Sequence, residues 1–505
     1  MKLSRFIFTC VLVSSFAGCS MGPDYQRKEL NLPEVYNSKT AQDDASIANI
    51  KWWELFEDKK LVELINIALK ENKDAEMALA AISEARALLG VTRANQFPQL
   101  GYSGGFNRYG LSEKTFSYMA PYNDFGAFTN LIFEVDLWGR LRRATEAQRA
   151  QLLATEYSYQ ALTITLVAEV AKTYMSLVDL DSRVKIAERT LKNRRDATKL
   201  IRSRFQGGVV PELDVNQAEI EEGDAEVMLA GLKMQRGLVQ NALSVLLGRF
   251  PYQIDRSTSL DKSVSVENIP SGVPADLLWR RPDILASEQA LHAQTALIGV
   301  AKASRLPVIG LNGIIGLQAN KGDKWLNKNA RMWNIAANFS GPLFDFGKSR
   351  SQVEAAEART EQALKSFEQT VLLAVQEVDD ALVSIVGYKA EYEAWKRQLK
   401  AARNASRLAR ARYNDGVTPY LEVLDVERSL FQAELGGSYA RRSYLNAIIQ
   451  LYKALGGGWS VEQEGVVEKN DQAEKIVQGD QGEGKEVKAS SVDKEQGEAK
   501  EETKE

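Results

Sequence analysis

Histidine occurs once in the 505 residues, at His292, and cysteine only at Cys10 and Cys19. One imidazole cannot assemble a catalytic triad or a histidine metal site, and two thiols cannot build a thiolate cluster. No glycine-rich phosphate loop of the Walker type is present, so the chain cannot draw energy from a nucleotide. Lys and Arg number 64 against 67 Asp and Glu, a formal charge of −3, and this lacks the basic excess that nucleic acid demands. Past the N-terminus there is no apolar run of the roughly 20 residues a membrane-spanning helix needs. These absences argue against an enzyme, a metal or cofactor site and a nucleic-acid partner. Any membrane crossing is left to strands.

What the chain has is itself, twice. The turn Phe205-Gln206-Gly207-Gly208-Val209-Val210-Pro211 returns 208 residues later as Tyr413-Asn414-Asp415-Gly416-Val417-Thr418-Pro419. Trp138-Gly139-Arg140 aligns likewise with Phe346-Gly347-Lys348, and Leu247-Gly248 with Leu455-Gly456. Gln96-Phe97-Pro98 meets Arg305-Leu306-Pro307 one residue out of that register.

The two ends differ from the middle. Residues 1–18 carry Lys2 and Arg5 before an apolar run, the pattern of a signal peptide, and Ala17-Gly18-Cys19 resembles a bacterial lipoprotein cleavage site. Cys19 is then the lipidated residue of the mature chain, with Ser20 after it, as in lipoproteins sent to the outer membrane. The 19–60 segment reads as a lipidated, extended N-terminal part. From 460 to 505 the sequence is rich in Glu, Lys, Gln and Gly and has no aromatic residue, so it reads as a disordered charged tail.

Between them lie repeat 1, residues 61–255, and repeat 2, residues 256–459. Each begins with helix and then carries two stretches of alternating polarity, within 100–137 and 308–344. From Phe125 to Leu137 the odd positions are mostly apolar while the even ones include Asn130, Glu134 and Asp136; Trp333, Ile335, Ala337, Phe339 and Leu343 repeat the pattern. Leu100 to Gly110 and Ile309 to Leu317 are their partners. Strands of roughly 10 residues suit a tilted crossing of a bilayer, and a soluble two-sided sheet is the alternative. Four strands cannot close a barrel, so several chains must contribute. A dimer gives eight strands and a filled interior; a trimer gives twelve and a lumen that satisfies the polar face.

Two proline-free tracts follow, Arg140 to Phe205 and Lys348 to Tyr413. At 1.5 Å per residue each spans roughly 100 Å, far beyond a globular need. Each returns after its Gly-Val turn through a shorter helix, with Met77 to Asn95 or Ile284 to Ser304 supplying the missing length. The fold class is mainly α with membrane β. Alanine-rich contacts fit a coiled-coil barrel.

Gly22-Pro23-Asp24-Tyr25 after Cys19, the pair Trp52-Trp53 with Phe56 and Asp58, Leu278-Trp279-Arg280-Arg281-Pro282-Asp283-Ile284 with Glu288, and Arg412-Tyr413-Asn414-Asp415-Gly416-Val417 followed by Tyr420-Leu421-Glu422-Val423-Leu424-Asp425 occur in this order. Together they make the chain resemble the TolC-like outer-membrane efflux proteins, in the lipoprotein branch that serves resistance-nodulation-division pumps. The resemblance implies a homotrimer whose twelve-stranded barrel in outer-membrane lipid continues into a periplasmic helical tunnel. It implies a passive exit duct, with a membrane-fusion adaptor and an inner-membrane pump as partners and no cofactor beyond the lipid on Cys19. An exit duct for type I protein secretion and a lipid-anchored scaffold without a pore are the alternatives.

Residue by residue, the resemblance places Gly208, Val209, Gly416 and Val417 at the adaptor-contacting tip. Asp214, Arg412 and Tyr413 fall in the gate. Glu422 and Asp425 fall at the constriction, as rings of carboxylates that favour cations and hold blocking polyvalent ones. Thr418 stands where some relatives carry arginine. Arg280, Arg281 and Asp283 read as a salt-bridged helix start, since Pro282 followed by an acid is how a helix begins.

Overall fold

The structure, a computed structural model, describes residues 20–33, 58–110, 121–256 and 277–457. The chain divides into the units Met1–Trp459 and Ser460–Glu505, and every described residue belongs to the first. Cys19, the 1–18 leader, Trp52, Trp53, Phe56 and the 460–505 tail lie outside the described residues.

Helices α1 (Lys59–Glu71) and α2 (Lys73–Ala94) lead into strands β1 (Gln99–Tyr109) and β2 (Tyr122–Val135), then α3 (Arg140–Gln206) and α4 (Glu212–Leu246). The order recurs as α5 (Leu277–Arg280), α6 (Pro282–Ala303), β3 (Val308–Ala319), β4 (Arg331–Ser340), α7 (Lys348–Asn414) and α8 (Tyr420–Ala454). Both long helices have 67 residues, about 100 Å of rise. The repeat fixes their ends through local chemistry. Gly139 and Gly347 enter them in the left-handed region at φ 75° and 86°. Asp136 accepts from the amides of Leu141 and Arg142, and Asp345 from those of Gly347 and Ser349, satisfying first-turn donors.

The four strands form one antiparallel sheet in the order β1-β2-β3-β4. Pairing of Phe106 with Phe125 and of Phe125 with Ala319 sets the register. One face then carries Leu100, Tyr102, Phe106, Ile315, Trp333, Ile335 and Phe339, all exposed in the single chain. The opposite face carries Ser103, Asp124, Asn130, Gln318 and Asn334, with Asn130 bonded to Ser103 and Gln318 to Asp124, each at 2.9 Å. Two details depart from the alternation read in the sequence. Phe128 sits on the polar face, where Gly126 and Gly316 leave room for its ring; a Cβ on Gly126 would stand 2.5 Å from it. The β2 strand also stops at Val135, because Leu137 turns its amide back to the Val135 carbonyl at 2.8 Å and Asp136 caps α3. The β4 strand likewise ends at Ser340, leaving Leu343 beyond the sheet.

The helices pack unequally. Helix α3 touches α1, α2, α4, α6 and α8, whereas α7 touches α8, α6 and the short α5. Accordingly 23 residues of α3 are buried against ten of α7, and 17 of α8 against seven of α4. The side-by-side order is α4, α3, α8, α7, with α4 and α7 as open edges. Helix α6 wedges between α3 and α7; its counterpart α2 has α3 but no second wall, and leaves Met77, Leu88 and Val91 exposed. Asp58 ties one corner of the core: it caps α1 and accepts from the buried Tyr174 hydroxyl at 2.7 Å.

Gly248 and Gly208 share φ near +70°, but only a Cβ at Gly248 would run into the Glu71 carbonyl. Gly208→Ala is therefore expected to cost about 1 kcal/mol from backbone strain alone. Gly248→Ala should cost clearly more in thermal unfolding; equal melting shifts would contradict the close packing.

Candidate functional site

Three groups of residues tie the hairpins together at different heights. At the far end from the sheet, Gly208 and Gly416 both adopt φ 71°. Each closes its helix by paired returns, Gly208 to Phe205 and Val209 to Arg204, then Gly416 to Tyr413 and Val417 to Arg412. Val209 and Val417 project from these turns with 72% and 67% exposure.

Behind the turns, Ile201, Val215, Ala218, Ala409, Tyr420, Val423 and Leu424 form a small core joining the two hairpins, with Tyr413 packed against it. Tyr413 stacks obliquely on Tyr420 at 5.3 Å and lies under the Arg204 guanidinium at 5.0 Å. Burial pushes the Tyr420 hydroxyl up to about 12, so it stays protonated. The Tyr413 and Thr418 hydroxyls are buried without a hydrogen-bond partner among the described residues. Arg412 faces Glu422 at 3.8 Å with both side chains half exposed, a pair worth under about 1 kcal/mol. The 208-residue offset makes Asp214 the counterpart of Glu422 and Arg204 that of Arg412. Asp214 lies in the first turn of α4, and the structure brings it to neither Arg412 nor Tyr413 through a hydrogen bond or ion pair. Asp425 lies one turn along α8 from Glu422 and is exposed.

Higher up, Glu221 is buried and shared between repeats. It pairs with Arg194 of α3 at 2.9 Å and with Arg428 of α8, whose Nε donates to it at 3.0 Å. Sequence reading passed over this residue. Its signal is position: Glu221 falls on the stripe of Val215, Ala218 and Ala225, where a carboxylate must find cations.

The third group gathers motifs that lie far apart in sequence. Gly22 rests on Gly299 of α6, where a Cβ would stand 2.5 Å from the Gly299 backbone. Arg143 is buried; it donates to the Met21 carbonyl and pairs with Asp24 at 2.5 Å and Glu146 at 2.7 Å. Tyr25 donates to Glu288 at 2.9 Å and stacks on His292, whose Nε2 meets Glu146 at 3.1 Å. Burial and the Glu288 charge push the Tyr25 hydroxyl pKa up. Arg27 pairs with Glu288 and covers Trp279 at 3.7 Å. Arg281 donates to the last carbonyls of α8 at Ala454 and pairs with Asp283 at 2.7 Å and Glu377 at 2.8 Å. His292 and the Arg281 cluster thus serve as struts for an N-terminal strap and a helix junction.

Comparison with known proteins agrees with this architecture. Residues 64–249 and 273–457 match the family described as outer membrane efflux protein. The chain is 34% identical over 460 residues to the cation efflux system protein CusC of Escherichia coli O6:H1, covering 89% of this chain and 98% of that one. It is 32% identical over 461 residues to the solvent efflux pump outer membrane protein SrpC of Pseudomonas putida, covering 88% and 97%. The solved outer-membrane channel OprN superposes with a TM-score of 0.81 at 30% identity, covering 87% of this chain and all of that one.

Glu288→Ala strands the Arg27 charge and the Tyr25 hydroxyl in a poorly solvated site. The strap is expected to lose about 3 kcal/mol of local stability, read as faster hydrogen exchange over residues 21–30. Unchanged exchange there would contradict the strap's dependence on this carboxylate.

Proposed function

The chain belongs to the outer membrane efflux protein family, and from that premise we propose that it is the passive outer-membrane exit duct of a tripartite pump, opened at its periplasmic tip. The observation that carries the proposal is the pair of unmatched edges. A second copy that sets its α7 against α4 and α2 of the first repeats, between chains, the junction that α3, α6 and α7 make within one. Strands β1 and β4 are free edges of opposite direction, so copies join antiparallel and three of them give twelve strands. The exposed apolar face of the sheet then meets lipid and the polar face lines the lumen. Residues 1–18 are removed as a signal, and Cys19 carries the lipid anchor.

Gating is assigned to Asp214, Arg412 and Tyr413. The Arg412–Glu422 pair is exposed and the Tyr413 hydroxyl has no hydrogen-bond partner among the described residues, so small helix shifts selected by a partner open the tip. Gly208, Val209, Gly416 and Val417 are the adaptor's contact, with an inner-membrane pump of the resistance-nodulation-division type supplying the energy. One relative is named for cations and another for solvent, which suits a duct that leaves the choice of cargo to the pump.

In planar bilayers the purified protein should show small single-channel conductance that rises in Arg412→Ser combined with Tyr413→Phe, and in Asp214→Ala. Conductance unchanged by these substitutions rules out the assigned gate. Glu422 and Asp425, multiplied by three, should let a trivalent cation block current from the periplasmic side. Glu422→Gln with Asp425→Asn should weaken that block at least about tenfold, given the loss of up to six carboxylates.

A further inference from the structure

Charge on the sheet is sorted by face. The four strands hold four charged residues, Arg108, Asp124, Glu134 and Arg331. The pairing puts both carboxylates on the face of Ser103 and Asn130, where Asp124 takes Gln318 and Glu134 takes Arg140. Both arginines stand on the opposite, apolar face: Arg108 follows Phe106 by two positions on β1, and Arg331 precedes Trp333 by two on β4. Each also sits at the end of the sheet farthest from the long helices, Arg108 one residue from the finish of β1 and Arg331 at the start of β4. A guanidinium on a lipid-facing strand is costly in mid-bilayer and tolerated at the interface, where it reaches a headgroup.

The connection between β3 and β4 adds to this rim. Residues 320–331 contain Lys321, Lys324, Lys328 and Arg331 against Asp323 alone, and residues 111–120 carry one Glu and one Lys, which leaves that balance unchanged. All four cations and Arg108 are exposed, and none has an ion pair among the described residues. The connection starts on the outward side: a Cβ on Gly322 would stand 3.5 Å from the ring of Phe125, which shares the face of Phe106. Leu326, 82% exposed, lies between Lys324 and Lys328 in sequence. Below them Trp333, Ile335 and Phe339 run down the outward face of β4. From Arg331 to Phe339 is about 26 Å of strand, or about 20 Å of bilayer once tilted, so the guanidinium sits at the edge of an apolar band of about 25 Å.

We propose that this rim binds an outer-leaflet lipid carrying more than one phosphate, with its acyl chains on the apolar face below. The inference rests on the duct reading for the orientation in the membrane and for the joining of copies edge to edge. Strands β4 and β1 are the two free edges, so joining sets the upper end of β4 beside that of the next copy's β1 and brings Arg331 toward Arg108 of the adjoining copy. The site is thus completed between copies, once at each junction of the barrel. Arginine forks take phosphate oxygens in pairs, and the lysines add point charge. The five cations less Asp323 leave four positive charges, more than one phosphodiester neutralises, and this is why the ligand needs several phosphates. Trp333, two residues below Arg331, suits the boundary between headgroup and chain. A free anion makes no use of the exposed Leu326 and Trp333, whereas acyl chains cover them.

The test uses the full-length protein in detergent. The probe is diphosphoryl lipid A, with monophosphoryl lipid A, phosphatidylglycerol and inorganic phosphate beside it. Lipid titration followed by native mass spectrometry should show the diphosphoryl lipid retained, the monophosphoryl form held more weakly, and an equal concentration of inorganic phosphate leaving the lipid bound. Arg331→Gln with Lys324→Gln and Lys328→Gln should weaken binding at least about tenfold, and Arg108→Gln alone about fivefold. Oligomer mass and conductance should be those of the parent protein, which separates a lost rim from a misfolded chain. Unchanged lipid affinity in the triple variant overturns the proposal. So does equal affinity for phosphatidylglycerol, since the rim then reads net charge alone, and so does displacement by equal phosphate, which makes the site one for a free anion. Full affinity in Arg108→Gln overturns the completion of the site between copies. A parent protein without conductance counts against the duct reading, and leaves the lipid titration to decide the rim.

Discussion

The packing of one long helix against its neighbours is the constraint on which the rest depends. A helix of 67 residues cannot bury its apolar stripe against a return helix of 35, so a second segment must complete the wall. For α7 that segment is α6 of the same chain, which also closes on α3. For α3 it is α2, which meets no second long helix among the described residues. The sequence repeat therefore produces a structure with two complementary incomplete edges. Unpaired β1 and β4 leave the sheet in the same condition. Both deficits are cured by one operation, joining copies edge to edge.

Much of this architecture is legible in the sequence alone. Proline-free tracts of 66 residues, bounded by glycines at a fixed offset, announced the long helices, because Gly and Pro punctuate helices through backbone geometry alone. Alternation located the strands for the same reason. What the sequence could not show is where distant segments meet. Phe128 breaks the alternation because Gly126 and Gly316, on neighbouring positions of the polar face, leave room for its ring. Asp136 seemed a lumen residue and is a helix cap. The Gly22-Pro23-Asp24-Tyr25 motif and Glu288 were visible as separate landmarks, yet their meaning is mutual contact, which spacing of more than 260 residues cannot reveal. Arg281 was legible as a helix-start strut because Pro282 and Asp283 beside it are local signals.

Strength is distributed unevenly along the molecule. Near the junction of sheet and helices the ties are buried and multiply bonded: Arg143 holds a carbonyl and two carboxylates, and Arg281 does the same. Removing one partner there strands a charge at a cost of several kcal/mol, about 3–5 in comparable sites. At the tip the pairs are exposed, and each contributes under about 1 kcal/mol. Glu221 marks the boundary between the two regimes, being buried but shared among arginines of both repeats.

Three chains close one ring through the α4 and α7 edges if each edge is completed by the next copy. Native mass spectrometry of the detergent-extracted, full-length protein should then show a single species of three chains that survives dilution. A species of one chain, stable and folded with both edges free, would contradict it.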